Sequence, residues 1–412
     1  MLPPRNGPRR TDRPESFMRT RRSKSASPRL PRDAERLVAL ARSLGASGSR
    51  AEDDYWEALL RPEVTRLLDA GADASIDAAL DTLYPTPQPY DALIDMVETV
   101  AETAEIEHDG KTWRGLLVAA PVLAWSRYAI ASGPLRNETV DALQVQLRAH
   151  LAADDVQVAV APTLYSIDQL PRGFAALRTL TRKLTRDAVM GMRSASAGKL
   201  AETVPILADT RYVLAVLAAP RGVPLWRWQD PTGRAVALRE EALAAWRAQA
   251  QPSVANALSG CVLELLLPDG FHVSCREADR LIRPWSIPAA LALLEGAVGI
   301  EPAQLRAVVA PFGAEGIEEY RIGFGRKSNN DLFHGIVWPL YGSEQGPEPE
   351  GPLDQIEAEL RQAGVTEITV LDELFPPEFC DDCGAPLYAD PTGDLVHAEL
   401  PEDAETPRTH LH

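Results

Sequence analysis

The chain has 412 residues, of which 45% are apolar and 25% are charged, and its net charge is −17. This length accommodates two or three domains of roughly 100–200 residues each, and the composition is that of a globular protein with a sizeable core. No stretch approaches the roughly 18 uncharged apolar residues of a membrane helix, and the charged N-terminus lacks the apolar segment of a secretory signal. Four cysteines are too few for a disulfide framework. We therefore predict a reduced, cytoplasmic protein without membrane contact.

The charge is distributed unevenly along the chain. Residues 1–32 carry ten Lys and Arg against two acidic residues, whereas residues 344–412 carry eighteen Asp and Glu against two Arg. Residues 1–32 are also poor in apolar residues and rich in proline and serine, which predicts a disordered basic arm. Within it, Met18 would serve as a start as well as Met1. Because the rest of the chain is acidic and repels phosphate, a nucleic acid could be contacted through this arm only.

Residues 33–107 predict a small helical domain. Apolar residues recur at helical spacing from Ala34 to Leu44, and the series stops at a glycine. Ser49 and Glu52 have the spacing of a capping box, in which the two side chains satisfy free backbone amides, so a second helix begins there. Further helices are predicted at about 75–83 and 89–104.

Beyond residue 107 strands and helices alternate, which predicts an α/β (α+β) fold with mixed sheets. We divide this part into three strand–helix–strand units, at residues 108–200, 201–333 and 334–376. In each unit we predict a strand, a helix and a second strand, in that order. They lie at Arg114–Trp125, Glu138–Leu151 and Val156–Pro162 in the first unit, at Arg211–Ala219, 238–258 and Cys261–Pro268 in the second, and at His334–Tyr341, Leu353–Ala363 and Val365–Leu371 in the third. A helix at about Pro288–Val298 and strands at Leu305–Phe312 and Tyr320–Phe324 precede the third unit.

The first strands of the three units read alike, which suggests an internal repeat. A strand–helix–strand unit implies parallel pairing within each unit, with helices covering the sheet. Any α/β protein shows a similar spacing, so coincidence stays open as the alternative to duplication.

Six short segments, together with their order along the chain, are the basis of a resemblance. They are Leu-Pro-Arg-Asp-Ala-Glu-Arg-Leu from Leu30, Ser-Gly-Ser-Arg from Ser47, Pro-Leu-Trp-Arg-Trp-Gln from Pro224, Cys-Arg-Glu-Ala-Asp-Arg from Cys275, Tyr-Arg-Ile-Gly-Phe from Tyr320 and Cys-Asp-Asp-Cys-Gly-Ala-Pro from Cys380. Together they resemble a proteobacterial family known only as a domain of unknown function. The resemblance spans about Met18–Pro401, implies that residues 1–17 lie outside the shared region, and implies no activity.

The strongest chemical signal is Cys380-Asp-Asp-Cys383-Gly. Two cysteines separated by two residues on a tight turn can direct both thiolates at one zinc ion. His397, fourteen residues after Cys383, is the predicted third ligand, since a hairpin between them would return its imidazole to the turn. We therefore predict a structural zinc knuckle over residues 377–401, followed by a disordered tail at 402–412.

Several questions about this site stay open in the sequence. The candidates for a fourth ligand are Glu399, His410 and His412. A redox role is less favoured, because Asp381 and Asp382 disfavour the thiolate and no clear helix follows to stabilise it. Two reduced surface thiols without a metal are the remaining alternative.

Three other groups have a structural explanation beside a functional one. His272 and Cys275 suggest a base and a nucleophile, but on a strand their side chains would point to opposite faces. Gly323–Asp331 has glycines and basic residues that could cradle a phosphate, yet it matches neither phosphate-binding fingerprint, so we expect a polar hairpin loop. Trp226 and Trp228 alternate as on a strand, which places both indoles on one face, in the core or at a partner surface.

No complete catalytic signature is present, so the sequence leaves open whether the protein is an enzyme. The leading hypothesis is a non-enzymatic interaction or regulatory protein that contacts protein partners through its basic arm, acidic tail and knuckle. One alternative is an enzyme of unrecognised chemistry, which convergent polar groups in a deep pocket beside the sheet would favour. The other is an RNA- or ribosome-associated protein, which steeply salt-dependent binding through the arm would favour.

Overall fold

The computed structural model describes residues 30–401 and Ala404, apart from residues 128, 197, 204–205, 230–233 and 346–350. The basic arm up to residue 29 and nearly all of the tail, with His410 and His412, lie outside the described residues. The described part forms ten α-helices and thirteen strands in mixed sheets, which confirms the predicted α/β class.

Helices and strands alternate after four N-terminal helices. The helices are α1 (Arg32–Gly45), α2 (Arg50–Asp69), α3 (Asp73–Leu83), α4 (Pro87–Glu102), α5 (Asn137–His150), α6 (Phe174–Val189), α7 (Ala235–Ala255), α8 (Phe271–Leu281), α9 (Arg283–Val298) and α10 (Pro352–Gln362). The strands are β1 (Thr103–His108), β2 (Lys111–Trp125), β3 (Gly133–Pro134), β4 (Gln157–Ser166), β5 (Ala208–Pro220), β6 (Val262–Leu265), β7 (Asp269–Gly270), β8 (Leu305–Phe312), β9 (Glu319–Arg326), β10 (Leu332–Pro339), β11 (Glu367–Val370), β12 (Tyr388–Ala389) and β13 (Leu395–Val396).

The four N-terminal helices form from the apolar periodicity and the capping signal in the sequence. At the start of α2 the Ser49 hydroxyl accepts the backbone N–H of Glu52, and the Glu52 carboxylate accepts that of Gly48. Their buried stripes share one core with α6, a helix that the sequence analysis does not predict. Asp73 accepts the backbone N–H of Ala175 at 3.0 Å and so fastens α3 to the beginning of α6.

The first sheet is built around β2 and β5, which pair antiparallel from Trp113–Pro220 to Trp125–Ala208. β4 lies on the other side of β5, and β3 follows it. β1, β7 and β6 pair in turn along the outer edge of β2. Residues Leu117–Ala124 of β2 and Thr210–Ala219 of β5 are buried, because helices cover both faces of the sheet.

The predicted direct pairing of the two strands within each unit is wrong. β2 and β4 do run parallel, but β5 lies between them, and β2 lies between the parallel strands β5 and β6. β10 and β11 are separated by two strands. Because strands lie only about 4.8 Å apart, a crossover helix can reach over one or two of them, so the spacing indicates the direction of a strand and not its neighbour.

The first two units interlock in the order β6–β2–β5–β4, the split β-α-β connectivity of ferredoxin-like sheets. Their helices α5 and α7 pack side by side on one face, while α6 and the N-terminal helices cover the other. The two units therefore agree in strand direction and in the face that their helix covers. The third unit differs, because it lies in a separate sheet with two strands between β10 and β11.

A bend between α8 and α9 leads from the first sheet to the second. The Arg283 side chain, 5% exposed, donates to the Pro339 carbonyl at 2.7 Å and to both carboxylate oxygens of Glu344 at 2.8 Å, which ties the bend to the end of β10.

Among the described helices none alone is long and apolar enough to cross a membrane, and the bent pair α8–α9 would qualify by length and composition only.

The second sheet has the order β10–β9–β8–β11. Helices α9 and α10 cover one face with an extended apolar core. The chain after β11 covers the opposite face through two much smaller clusters and the hairpin β12–β13. The fit is close, since a Cβ on Gly335 would lie 2.2 Å from the Tyr388 ring.

Arg321 of β9 holds this C-terminal covering segment to the sheet. Its side chain is 0% exposed, and its guanidinium donates to the Glu378 and Leu387 carbonyls at 2.7 and 2.6 Å and to the Glu319 carboxylate at 2.7 Å. Its guanidinium carbon lies 4.4 and 5.0 Å from two phenylalanine ring centroids. A guanidinium stays charged, so its burial requires acceptors, and here both ends of residues 378–387 supply them.

Replacing Arg321 by methionine should strongly destabilise the protein, because the Glu319 carboxylate and two carbonyls lose their buried donor. We expect a loss of roughly 3–5 kcal/mol in the free energy of unfolding, measured by denaturant titration. The matched control is Arg361→Met on α10, which removes an exposed pair with Glu357 and should cost less than about 1 kcal/mol. Equal effects of the two substitutions would contradict the assigned role of Arg321.

Candidate metal centre

The two cysteines of the predicted knuckle lie on one tight turn after the first Arg321 contact. The Gly384 N–H donates to the Cys380 carbonyl and the Cys380 N–H to the Ala385 carbonyl, both at 2.8 Å. Gly384 has a φ of +70°, a conformation that a residue with a Cβ adopts only with strain. The Ala385 N–H donates to the Cys383 sulfur at 3.4 Å. The backbone thus fixes the turn that carries both sulfurs.

The hairpin β12–β13 returns His397 to this turn, as the sequence predicts. Tyr388 and Ala389 pair with Val396 and Leu395. The intervening turn is closed by the Asp390 carboxylate, which accepts backbone N–H groups of Thr392 and Asp394 at 2.7 and 3.0 Å. Beyond the hairpin, the Glu399 N–H donates to the Leu332 carbonyl and secures the chain on β10.

The structure brings all three predicted metal ligands together. The Cys380 and Cys383 sulfurs and one ring nitrogen of His397 lie within 4.8 Å of one another, and the Cys383 sulfur is 3.5 Å from His397 Nε2. Around a tetrahedral zinc ion, with metal–ligand distances of about 2.0–2.3 Å, neighbouring ligand atoms are roughly 3.5–3.8 Å apart. Only small side-chain shifts separate the observed arrangement from that geometry.

Glu399, one of the three candidates for a fourth ligand, contacts the opposite edge of the imidazole. Its carboxylate lies 2.8 Å from His397 Nδ1, and therefore accepts a hydrogen bond when that nitrogen is protonated. This contact favours the tautomer whose Nε2 lone pair faces the sulfurs. A carboxylate in this position orients a metal-bound histidine and raises its basicity. The sequence analysis includes Glu399 only as a direct ligand and does not predict this role.

The turn also favours the metal-binding form of Cys380. The pKa of its thiol lies below the ordinary value, because backbone N–H groups of Cys383 and Asp382 donate to the sulfur. The charge of Asp382 does disfavour this thiolate, as expected, but the backbone hydrogen bonds outweigh it. Cys383 is exposed, so the site opens on the protein surface. A thiolate is the form of cysteine that binds metal ions.

His272 and Cys275 lie on helix α8, so their predicted placement on a strand is wrong. Phe271, Ser274 and Ala278 recur at helical spacing and form the buried stripe that decides the element. Burial raises the pKa of Cys275 to about 12 and lowers that of His272 to about 4. At neutral pH both side chains are therefore uncharged. An activated cysteine would instead be a thiolate beside a protonated imidazole.

Glu102 of α4 lies at the N-terminus of α8, beside these two residues. Its carboxylate accepts the His272 N–H at 3.2 Å, and a Cβ on Gly270 would approach it to 3.0 Å. Burial raises the pKa of Glu102 to about 7, although the hydrogen bond from the backbone acts in the opposite direction. This carboxylate joins two helices that cover one face of the first sheet.

The remaining sequence candidates have packing roles. Trp226 and Trp228 lie in an isolated bridge and a turn rather than a strand, and their rings stack at 4.7 Å with 14° between planes. Gly323 and Gly325 lie on β9 of the β9–β10 hairpin, where a Cβ on Gly325 would approach the Asp331 carbonyl to 2.1 Å. These glycines therefore permit close strand approach, as in the predicted polar hairpin loop.

A family model with the description "Protein of unknown function (DUF2863)" matches residues 21–411, and the chain belongs to this family. The match confirms the uncharacterised family that the six segments resemble, and its restriction to proteobacteria stays a prediction. It begins close to Met18, the predicted start of the shared region, and extends beyond Pro401. Comparison with curated proteins and with solved structures gives no match.

Glu102→Gln should change how stability depends on pH. The pKa of Glu102 is raised from its ordinary value of 4.5 to about 7 in the folded state. The stabilisation by its protonated form is therefore complete below about pH 4.5 and is lost as pH rises through about 7. The glutamine retains an oxygen for the His272 N–H and carries no charge. We therefore expect the variant to unfold at higher denaturant than the parent above pH 7, with the difference vanishing at acidic pH.

The control for this experiment is Glu105→Gln, which removes an exposed carboxylate of β1. It should leave the pH dependence of the denaturation midpoint unchanged. A parallel pH dependence of the parent and Glu102→Gln would contradict the raised pKa of Glu102.

Proposed function

We propose that this chain binds one structural zinc ion through Cys380, Cys383 and His397. The observation that carries the proposal is the convergence of two sulfurs and one ring nitrogen of His397 within 4.8 Å, with Nε2 3.5 Å from the Cys383 sulfur. Two thiolates and an imidazole are the donors that zinc takes in structural sites, whereas calcium and magnesium take oxygen donors. The contact of Glu399 with the opposite imidazole nitrogen further supports a metal ligand at this position.

The proposed role of the metal is to fasten the C-terminal covering segment. The ion would join the cysteine turn, which Arg321 holds at its base, to the chain beyond β13, which Glu399 holds on β10. The apolar clusters under this segment are small, so burial alone contributes little to its attachment. Binding of a structural ion is coupled to the folding of the residues that hold it. His410, His412 and water are the candidates for the fourth ligand.

We further infer that the protein acts through protein contacts rather than by catalysis. A cavity of about 830 Å³ in the described part is an open groove along α7, lined by alanine, leucine and a few surface polar residues. A catalytic site would instead concentrate convergent polar groups in a pocket. The proposal includes a reducing, cytoplasmic location, which suits four free thiols.

Protein purified without a histidine tag should contain about one zinc ion per chain by elemental analysis. Cys383→Ser should abolish the bound zinc, because one thiolate and one imidazole hold the ion too weakly. His397→Ala should lower the zinc affinity for the same reason. The matched control is Cys261→Ser, which changes a cysteine at the start of the β6 region, remote in sequence from the knuckle, and should retain full zinc content.

Removing the ion with a chelator should increase amide hydrogen exchange in residues 378–400 and leave β2 and β5 protected. A parent protein without zinc or any other metal would sink the proposal. Bound zinc with unchanged exchange in residues 378–400 would refute the structural role while leaving metal binding intact.

Glu399→Ala should weaken zinc binding by about 10- to 100-fold without changing the stoichiometry at saturation, since it removes an orienting contact and no ligand. Competition with a chromogenic chelator measures the affinity. Glu373→Ala, an exposed acidic residue before the knuckle, serves as control and should bind zinc as the parent does. If Glu399→Ala loses the ion altogether at saturating zinc, Glu399 is a direct ligand and the assigned contact is wrong.

A further inference from the structure

Helix α7 is apolar on its inner face and carries small apolar residues on its outer face. Ala242, Trp246 and Ala250 face the first sheet and are buried. On the opposite side Ala244 and Ala248 are exposed. The outer face also carries exposed charged residues, among them Glu240 and Arg247, so small apolar and charged side chains lie side by side on it.

The groove of about 830 Å³ runs along this outer face. It contains Glu240 and Arg247, with Ala244 between them and Ala248 beyond. The exposed alanines leave room for another backbone to approach, and the two charges offer opposite signs about two helical turns apart. The groove therefore combines an apolar floor with a pair of complementary charges.

The neighbouring helix α5 repeats this pattern. Its groove, of about 470 Å³, is lined by Asp141, Val145, Arg148 and Ala149. In both helices an acidic residue is followed by a small or apolar residue four positions later, an arginine after seven and an alanine after eight. Because α5 and α7 pack side by side on one face of the sheet, the two grooves belong to one helical layer.

The buried residues confirm that the two helices present equivalent faces. In and just after α5 the residues two, six and ten positions after Asp141 are buried leucines, the last of which follows the helix. In α7 the same offsets from Glu240 give the buried residues Ala242, Trp246 and Ala250.

We propose that a second copy of this chain docks on the outer surface of the α5–α7 layer, with the two layers related by a two-fold axis. In an antiparallel pair of identical helices centred near Ala244, Glu240 of each copy lies opposite Arg247 of the other. A two-fold contact requires such a self-complementary surface. An acidic residue and an arginine seven positions apart, on either side of a small residue, meet this requirement.

The present partners of these charges are compatible with the contact. Arg247 lies 3.4 Å from Glu264, and Asp141 lies 2.8 Å from Arg193, with all four side chains about half exposed. Ion pairs at this exposure contribute little stability and exchange readily. Their charges therefore remain available to a second copy at small energetic cost.

The size of the surface indicates which helices take part. The 21 residues of α7 give a face about 31 Å long and roughly 10 Å wide, or about 300 Å², whereas a stable interface needs about 800 Å² per partner. Adding the 14 residues of α5 raises the area to about 500 Å². The contact therefore needs the whole layer and lies at the weak end of specific interfaces, so dimerisation should depend on concentration.

Sedimentation equilibrium of the full chain over a range of concentrations tests the proposal. The parent should approach twice the chain mass as concentration rises. Ala248→Glu should remain at the mass of one chain, since it places a charge on the apolar floor. The control is Ala58→Glu, the same substitution at an exposed position of α2, which should dimerise as the parent does.

A charge exchange identifies the surface independently of steric effects. Arg247→Glu alone should weaken association at least tenfold, and Glu240→Arg combined with Arg247→Glu should restore most of it, because the exchanged pair is again complementary. A parent that keeps the mass of one chain at its highest soluble concentration overturns the proposal. A dimer whose association is the same in the parent, Ala248→Glu and Arg247→Glu places the interface elsewhere and also overturns it.

Discussion

A buried guanidinium cannot give up its charge and must find acceptors, and this constraint fixes the loops of the molecule. Among the residues that the structure describes, three arginine side chains are at most 5% exposed, namely Arg211, Arg283 and Arg321. Each donates to at least one backbone carbonyl that is remote in the chain and to a carboxylate. Loss of such an interaction leaves buried polar groups without partners, so each loop has a single favoured position.

The candidate metal centre depends on one of these interactions. Arg321 binds the carbonyls on both sides of the cysteine turn, and the hairpin that follows returns His397 to it. Glu399 then selects the imidazole nitrogen that faces the sulfurs. Backbone contacts with the second sheet thus bring the three side chains together. Such preorganisation lowers the entropy cost of collecting groups from two separate segments.

The environment, rather than the residue type, separates the two cysteine–histidine groups of this chain. Cys275 and His272 lie between helices, where burial disfavours both the thiolate and the imidazolium. Cys380 receives backbone hydrogen bonds on an accessible turn, which favours its thiolate. The same two side-chain types are therefore neutral and buried in one place, and in the other they form a group that could hold a metal ion. Burial and hydrogen bonding decide whether the thiol or the thiolate is favoured, and the spacing of residues in the sequence indicates neither.

The sequence by itself determines the elements with strong periodicity, such as α1 and β8, because apolar spacing follows directly from the geometry of a helix or strand. It also indicates that Cys380, Cys383 and His397 lie close together, because a tight turn and a short hairpin are local and set their separation. The tertiary structure alone decides that β5 separates β2 from β4 and that Arg321 holds the cysteine turn. These contacts join residues far apart in the chain, and local patterns carry no information about which distant partner a buried group will find.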